Sequence, residues 1–423
     1  MAESLPPPRL RSPNRLAVLD ATPIDGLLDS DHQARVVWDF CAGLDVTPLT
    51  DPLRARHGRP GRAALDPRLA IALWLDATLE GVGSARQLAT LCTHHNAFRW
   101  LCGGVTVNHH TLADVRVENR EFLDRLLTHS VALLREQGLV DLNRVAQDGT
   151  RVRASAGAAS FRRKPTLEEC LIEAEDQVAR LTEEMDDDPA ASSRRQAAAR
   201  ERAARERAER VRAALDRLPE LEAKKKPGER DRARCSTTDA EATVMKMADG
   251  GFRPAYNVQY AADTTSQVIV GVDVLTTGSD QGRMMPMAEQ IHERHERYPA
   301  EYLADGGYAQ HADLEAVTGC GATVYAPVPQ PKDASRDRHR RLPADGPVIA
   351  AWRERMGTEE AKAIYRDRAA TAECVNAQAR NRGLRQFVVR GVSKVKAVAM
   401  WFAVAHNVAC GARLRAGRLA VAT

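Results

Sequence analysis

Residues 251–274 read GFRPAYNVQYAADTTSQVIVGVDV. Positions 256–261 and 267–275 are rich in β-branched and aromatic residues, and Asp263-Thr264-Thr265-Ser266 joins them with turn-forming side chains. That pattern predicts an antiparallel hairpin. C-terminal to it come a helical stretch at 284–297 and a short strand at 302–304 that ends at Asp305-Gly306-Gly307. A helix at 312–318 and a strand at 323–326 follow, and residues 328–347, rich in Pro, Asp and Arg, read as a loop. Thr358 is placed to cap a long helical pattern over 359–380, and 394–410 reads as a closing amphipathic helix. N-terminal to the hairpin, residues 142–154 (LNRVAQDGTRVRA) place Val145 and Val152 around Asp148-Gly149, a strand that carries a carboxylate.

Between that strand and the hairpin lies an insertion at about 166–218. Leu167, Leu171, Ala174, Val178, Leu181 and Met185 form a seam with spacings of four and three, Asp186-Asp187-Asp188-Pro189 breaks it, and Ala204, Ala208, Val211, Leu215 and Leu218 repeat it. This predicts a helical hairpin with arms of roughly 30–40 Å. Its return arm bears Arg194, Arg195, Arg200, Arg202, Arg205, Arg207, Arg210, Arg212 and Arg217, with Lys224-Lys225-Lys226 behind it. Such a run suits either a solvated face or a DNA backbone. A strand, an antiparallel hairpin and then strands separated by helices fit a ribonuclease-H-like α/β sheet better than a doubly wound parallel one.

Residues 1–29, with Pro6-Pro7-Pro8, read as a flexible lead, and 30–140 as an all-α domain. There Ser30-Asp31 and Ser84 are placed as caps, Asp66-Pro67 opens a helix, and after Thr111-Leu112-Ala113-Asp114 a long helix runs to Gly138. Short helices broken by glycine turns suit a helix-turn-helix DNA reader or an ordinary bundle. The catalytic domain would run over 141–412, with a tail at 413–423. Of the 423 residues, 43% are apolar, enough for a sizeable core, and the 61 Lys+Arg against 57 Asp+Glu leave a net charge of only +4. The eight cysteines are scattered without a C-x-x-C pair, which speaks against a zinc site or a disulfide framework. The pairs His94-His95 and His109-His110 lack a third ligand at a sensible spacing. No signal-peptide pattern is present and no run approaches the ~18 apolar residues of a membrane span, so a cytoplasmic protein is expected.

Three carboxylates hold suggestive places: Asp148 in a strand, Asp305 at the end of another and Glu373 in a helix. A few hard oxygen ligands suit Mg²⁺, which keeps waters and shares substrate phosphates. On an ideal helix Tyr365, Arg368, Glu373, Asn376 and Arg380 fall within roughly 140° of one face. That face could bind metal and phosphodiester, or be a solvated surface held by charge pairs. Asp239 reads as structural or DNA-proximal rather than metal-binding, Asn257 as a polar neighbour of the site or a plain strand residue, and Trp401 as core.

The order of these motifs resembles the DDE transposases of bacterial insertion sequences. Asp148-Gly149-Thr150-Arg151-Val152-Arg153-Ala154, Ala304-Asp305-Gly306-Gly307-Tyr308 and Tyr365-Arg366-Asp367-Arg368 with Glu373 carry the likeness, the last resembling their Y-R-E signature. GFRPAYNVQYAADTTSQVIVGVDV resembles the family's central hairpin, RQFVVRGVSKVKAVAMWFAVAHNV its closing helix, and DPRLAIALWLDATLEGVGSARQLATLC its helical N-terminal domain. Two departures stand out. Arg380 holds a place where many members carry Lys, and four residues separate Arg368 from Glu373 where some relatives have three. The resemblance implies a ribonuclease-H-like core with the helical hairpin inserted after its first strand. It implies Mg²⁺, with Mn²⁺ as a substitute, on Asp148, Asp305 and Glu373, and DNA contacts from Tyr365, Arg368 and Arg380. It also implies binding of terminal inverted repeats, strand cleavage and strand transfer on double-stranded DNA by a homodimer or higher oligomer. The alternatives are an idle DNA-binding protein that keeps the fold, or a metal-dependent nuclease that does not join strands.

Overall fold

The computed structural model describes residues 7–15, 18–19, 22–56, 58, 62–187, 191–331, 333 and 335–422. Its N-terminal part is helical: α1 (Gln33–Ala42), α2 (Pro67–Leu79), α3 (Ala85–His94), α4 (Asn96–Cys102), α5 (His109–Glu118) and α6 (Arg120–Glu136). Local chemistry sets the starts. Asp66 accepts from the Arg68 amide at 2.9 Å with Pro67 in the first turn, and Ser84 accepts from the Gln87 amide at 3.4 Å. The first helix differs from expectation: its cap is His32, whose Nδ1 accepts from the Ala34 amide, not Ser30 or Asp31. Asn119 divides the expected long helix into α5 and α6. Much of the expected lead is packed, since Ile24 is fully buried and Leu10–Arg11 pairs in parallel with Ala64–Leu65. Residues 1–6, with Pro6, lie outside the described residues.

The first strand, β1 (Arg144–Arg153), is central. After it the chain leaves the sheet through α7 (Lys164–Asp187) and α8 (Ala191–Ala223) and returns as β2 (Thr243–Lys246), β3 (Phe252–Asp263) and β4 (Ile269–Leu275). Then follow α9 (Met284–His295), β5 (Glu301–Leu303), α10 (His311–Gly319) and β6 (Thr323–Tyr325). The strand order is β4-β3-β1-β5-β6, with β2 paired to the start of β3. β3 runs antiparallel to both β4 and β1, with Asp148 opposite Tyr260, whereas β5 is parallel to β1 and β6 parallel to β5. The tight turn at 263–266 is built as its residues suggest: Asp263 Oδ1 accepts from the Ser266 amide at 2.8 Å and its hydroxyl at 2.7 Å.

Alternation along the strands separates two faces. Tyr256, Val258, Tyr260 and Ala262 join one apolar cluster with Val152, α2 and α14 (Val392–Ala422), while Val145, Ala261, Val270 and Tyr302 join a second with α9 and α10. The cluster on the first face runs without a break from the N-terminal helices into the sheet. Between β6 and α14 stand α11 (Pro347–Met356), which sequence periodicity did not reveal, α12 (Glu359–Arg368) and α13 (Cys374–Asn381). By length and composition α14 could cross a membrane, contrary to the expectation that no such segment exists. Its apolar window is 83% buried inside the protein, so it serves as the core helix. It also runs through the expected tail, to Ala422.

The insertion is the expected hairpin, closed at its base by pairing of Phe161–Arg162 with Cys235–Ser236. Leu167, Ala174, Ala204, Ala208, Val211, Ala214 and Leu218 are buried along its seam. At 33 residues α8 extends about 50 Å, longer than expected. Arg205 pairs with Glu201 and Arg210 with Glu206 along the arm, while Arg207 reaches Glu173 and Arg212 reaches Glu175 across it. These are arginines of a solvated, ion-paired face. Asp188 and Pro189 of the expected break lie outside the described residues, as do the side chains of Met185, Arg194 and Arg195.

Candidate active site

Asp148 points from the middle of β1 toward α13, where Asn376 Nδ2 donates to its Oδ2 at 3.1 Å. Asp305 follows β5, the neighbour of β1, and its Oδ1 accepts from the Gly307 amide at 2.7 Å, which fixes the turn. Parallel pairing of β5 with β1 therefore brings two aspartates, distant in sequence, to neighbouring places: Asp305 just past the end of the short β5 and Asp148 in the middle of β1.

Glu373 arrives from a helix that is not regular. The expected single helix over 359–380 is α12, a π turn at Ala369–Glu373, then α13. Five residues apart on a regular α-helix, Arg368 and Glu373 would point about 140° away from each other. The wider i→i+5 turn brings them together instead, and Arg368 NH1 donates to Glu373 Oε1 at 3.2 Å. The extra residue between Arg368 and Glu373 is thus taken up by the π turn.

Arg368 sits among all three acids. Its NH2 lies 3.4 Å from Asp148 Oδ1 and 3.7 Å from Asp305 Oδ2, while NH1 holds Glu373. The sequence placed Arg368 against DNA; here its side chain is only 10% exposed and faces inward. Burial opposes its charge, yet Asp148, Tyr365, Asp305 and Glu373 around it raise its pKa above the ordinary value. Burial pushes the Asp148 carboxyl up against the pull of Arg368, with Asp305 adding repulsion. Tyr365 is half-buried beside the cluster, and burial raises its pKa.

The donor set is chemically that of a hard divalent cation: three carboxylates converge on one positive charge, and the buried Asn376 Oδ1 beside Asp148 has no partner. Among the described residues no three His, Cys, Asp or Glu side chains are grouped closely enough to hold one ion, and the Arg368 guanidinium stands between the three acids.

Next to Gly149, one residue beyond Asp148, a cleft of about 890 Å³ opens, lined by Arg151, Arg153, Lys246, Arg253, Arg380 and Arg385 and by one acid, Asp249. Arg380 lies here, exposed, at the far end of α13. Asp249 is held by Arg253 at 2.8 Å, so the cleft is strongly positive.

The opposite face of β1 carries residues that the sequence reading missed or left open. Asn257 Nδ2 and Gln259 Nε2 donate to Asp280 Oδ1 at 2.6 and 2.8 Å, and Arg151 NH2 donates to Asp280 Oδ2 at 3.2 Å. Gln147 Nε2 donates to Gln259 Oε1 at 3.1 Å, Tyr302 OH donates to Gln147 Oε1 at 2.6 Å, and Tyr308 OH donates to Gln259 Oε1. Gly149 leaves room for this network, because a Cβ there would fall 2.7 Å from Asn257 Oδ1 and 2.9 Å from Asp280 Oδ1. The network connects β1, next to Asp148, with the turn that follows Asp305. A run of amides on alternate strand positions was the only signal for it. Asp239 is a structural tie: buried, it accepts from Tyr256 OH at 2.8 Å and from the Gly391 amide at 3.3 Å. Trp401 is buried and donates to the Arg116 carbonyl, a core role.

No curated protein and no solved structure matches the chain. Two family models do. The transposase DDE domain matches residues 333–410, which include Arg368, Glu373 and Arg380, and the transposase domain DUF772 matches residues 23–118, which span α1 to α5. A DDE transposase domain implies phosphoryl transfer on nucleic acid, and the two matches together support an insertion-sequence transposase.

Proposed function

We propose that the chain is a DNA transposase that cleaves the ends of an insertion sequence and joins them to target DNA, on a ribonuclease-H-like core. The observation that carries this reading is the convergence of Asp148, Asp305 and Glu373, from two adjacent strands and a π turn, on one cationic centre. The order β4-β3-β1-β5-β6, antiparallel on one side of β1 and parallel on the other, supports the ribonuclease-H-like assignment.

Asp148, Asp305 and Glu373 would hold Mg²⁺, or Mn²⁺ in its place, which supplies an activated oxygen nucleophile and neutralises charge on the leaving oxygen. Asn376 orients the Asp148 carboxylate by its 3.1 Å hydrogen bond. Arg153, Lys246 and Arg380 line the cleft that opens at Gly149, the residue after Asp148, and would grip phosphates on the DNA flank, with Tyr365 close to the cut. Recognition of the terminal repeats falls to the N-terminal helices, where α3 presents exposed Arg86, Gln87, Thr90, Thr93 and His94 on one side and buries Leu88 on the other.

The test is incubation of the full chain with Mg²⁺ and a duplex that carries the inverted repeats flanking its coding sequence. Products cut at the repeat end and joined to a second duplex are expected. Cutting without joining would make it a nuclease, and binding without cutting would remove the catalytic reading.

A further inference from the structure

Arg368 occupies the place toward which all three acids point. Three carboxylates that face one place repel one another, and the Arg368 guanidinium spreads one charge over donors that reach all of them. Its grip is incomplete, because Nε is buried without a partner. The contacts to Asp148 and Asp305, at 3.4 and 3.7 Å, are longer than well-made charge-assisted hydrogen bonds. Such a residue is held in place by charge more than by geometry. The basic cleft opens at Gly149, the residue after Asp148.

We infer that Arg368 is the resident cation of the acidic site, holding Asp148, Asp305 and Glu373 while DNA is absent and giving up that place to divalent metal when DNA enters. The inference rests on the proposed metal-dependent reading of this site. Metal and guanidinium compete for the same carboxylate oxygens. A displaced guanidinium needs a new anion, and a phosphodiester accepts its fork of donors. Metal binding and DNA binding are therefore coupled through one side chain, and the coupling is reciprocal. The arrangement keeps metal affinity low until a duplex is bound. Arg368 is then a positioning residue whose place depends on occupancy, rather than a fixed strut.

The experiment measures Mn²⁺ binding to the full-length protein from the signal of free Mn²⁺, with and without a mixed-sequence DNA duplex. Parent, Arg368→Gln and Asp305→Asn are compared. Without DNA, Arg368→Gln should bind Mn²⁺ about tenfold more tightly than the parent, within the usual range of coupling between sites. DNA should tighten Mn²⁺ binding to the parent by a similar factor, and should do much less in Arg368→Gln. Should Arg368→Gln fail to fold, Arg368→Lys carries the test, because an ammonium cannot fork to three carboxylates and must also bind Mn²⁺ more tightly than the parent. Equal or weaker Mn²⁺ binding by the Arg368 variants without DNA overturns the inference while leaving the metal site in place. Mn²⁺ binding that Asp305→Asn does not weaken overturns the metal reading itself, and the inference with it.

Discussion

The two faces of β1 solve opposite problems with the same strand. On one face Asp148 meets Arg368, Asn376 and, through Arg368, Asp305 and Glu373: formal charges, long contacts and an unpaired amide oxygen. On the other face Gln147 and the gap left by Gly149 meet Gln259, Asn257, Tyr302 and Tyr308: buried groups, mostly neutral, that satisfy one another at short range around the single carboxylate of Asp280. A satisfied buried network is rigid and specifies one geometry. An under-satisfied cluster of charges is ready to exchange partners. Precision resides in the closed face: the face that would do chemistry can rearrange because the one behind it cannot.

That contrast is most easily broken at Asp305. Asp305→Asn keeps the shape and can still accept from the Gly307 amide, so it should fold and bind DNA like the parent. Cleavage of end DNA should fall by about 10²–10³-fold, the loss typical when one preorganised electrostatic element is removed. Near-parental cutting would show that the open face is not catalytic.

A second test asks whether the two faces unfold as one. His406 on α14 covers one face and His295 on α9 the other. Burial lowers both pKa values to about 4, helped at His295 by Arg135 and Arg294 and at His406 by Arg382 and Arg413, against the bond between His406 Nε2 and the Gln267 carbonyl. Because the folded values lie below the unfolded one, the unfolded chain binds more protons between about pH 6.5 and 4, and stability is lost as pH falls through that window. Each histidine contributes a slope of roughly 1.4 kcal/mol per pH unit, so about 3 together. Denaturant melts across the window should show one transition, with His406→Gln and His295→Gln each removing about half the slope. Two separate transitions would mean that the faces are independent.

Much of this arrangement was legible in the sequence, and the illegible parts share a cause. The hairpin, the Asp148 strand, the strand end at Asp305 and the caps at Asp66 and Ser84 follow from alternation and turn chemistry, which are local. The inward turn of Arg368 was hidden because a face drawn at 100° per residue assumes a regular helix, and the π turn at Ala369–Glu373 breaks that assumption. The Gln147–Gln259–Asp280 network was hidden because amides in a strand look ordinary until register places them opposite one another. Helix α11 escaped notice because it follows a segment rich in Pro and Asp, and α14 was underestimated in length because its later turns are polar.

Gly149→Ala probes the closed face directly. Its Cβ would press on the buried Asn257 and Gln259 and on the part-buried Asp280, which their mutual hydrogen bonds keep from swinging away cheaply. A loss of about 1–3 kcal/mol in denaturant unfolding is expected from overpacking. An unchanged midpoint would mean that the network is looser than its distances indicate.

The smallest effect belongs to Tyr308→Phe, which also isolates the link between the two aspartates most cleanly. Tyr308 is fully buried three residues after Asp305, and its hydroxyl donates to Gln259 Oε1, opposite Gly149 on the adjacent strand. Removing that hydroxyl leaves the ring and its packing, and Gln259 Oε1 keeps the donation from Gln147 at 3.1 Å. No buried acceptor is stranded, so the cost in stability should be about 1 kcal/mol, the net worth of one hydrogen bond. If the closed face positions the open one, cleavage should fall more than that stability loss would suggest, with affinity for end DNA unchanged, because the Asp305 turn loses its tie to β1. Tyr302→Phe removes a hydroxyl from the same network but not from that turn, and should cost more stability, about 1–3 kcal/mol, because the buried Gln147 Oε1 loses its donor, with less effect on cutting. Equal cleavage by the two variants would show that the network supports the fold without setting the spacing of Asp148 and Asp305.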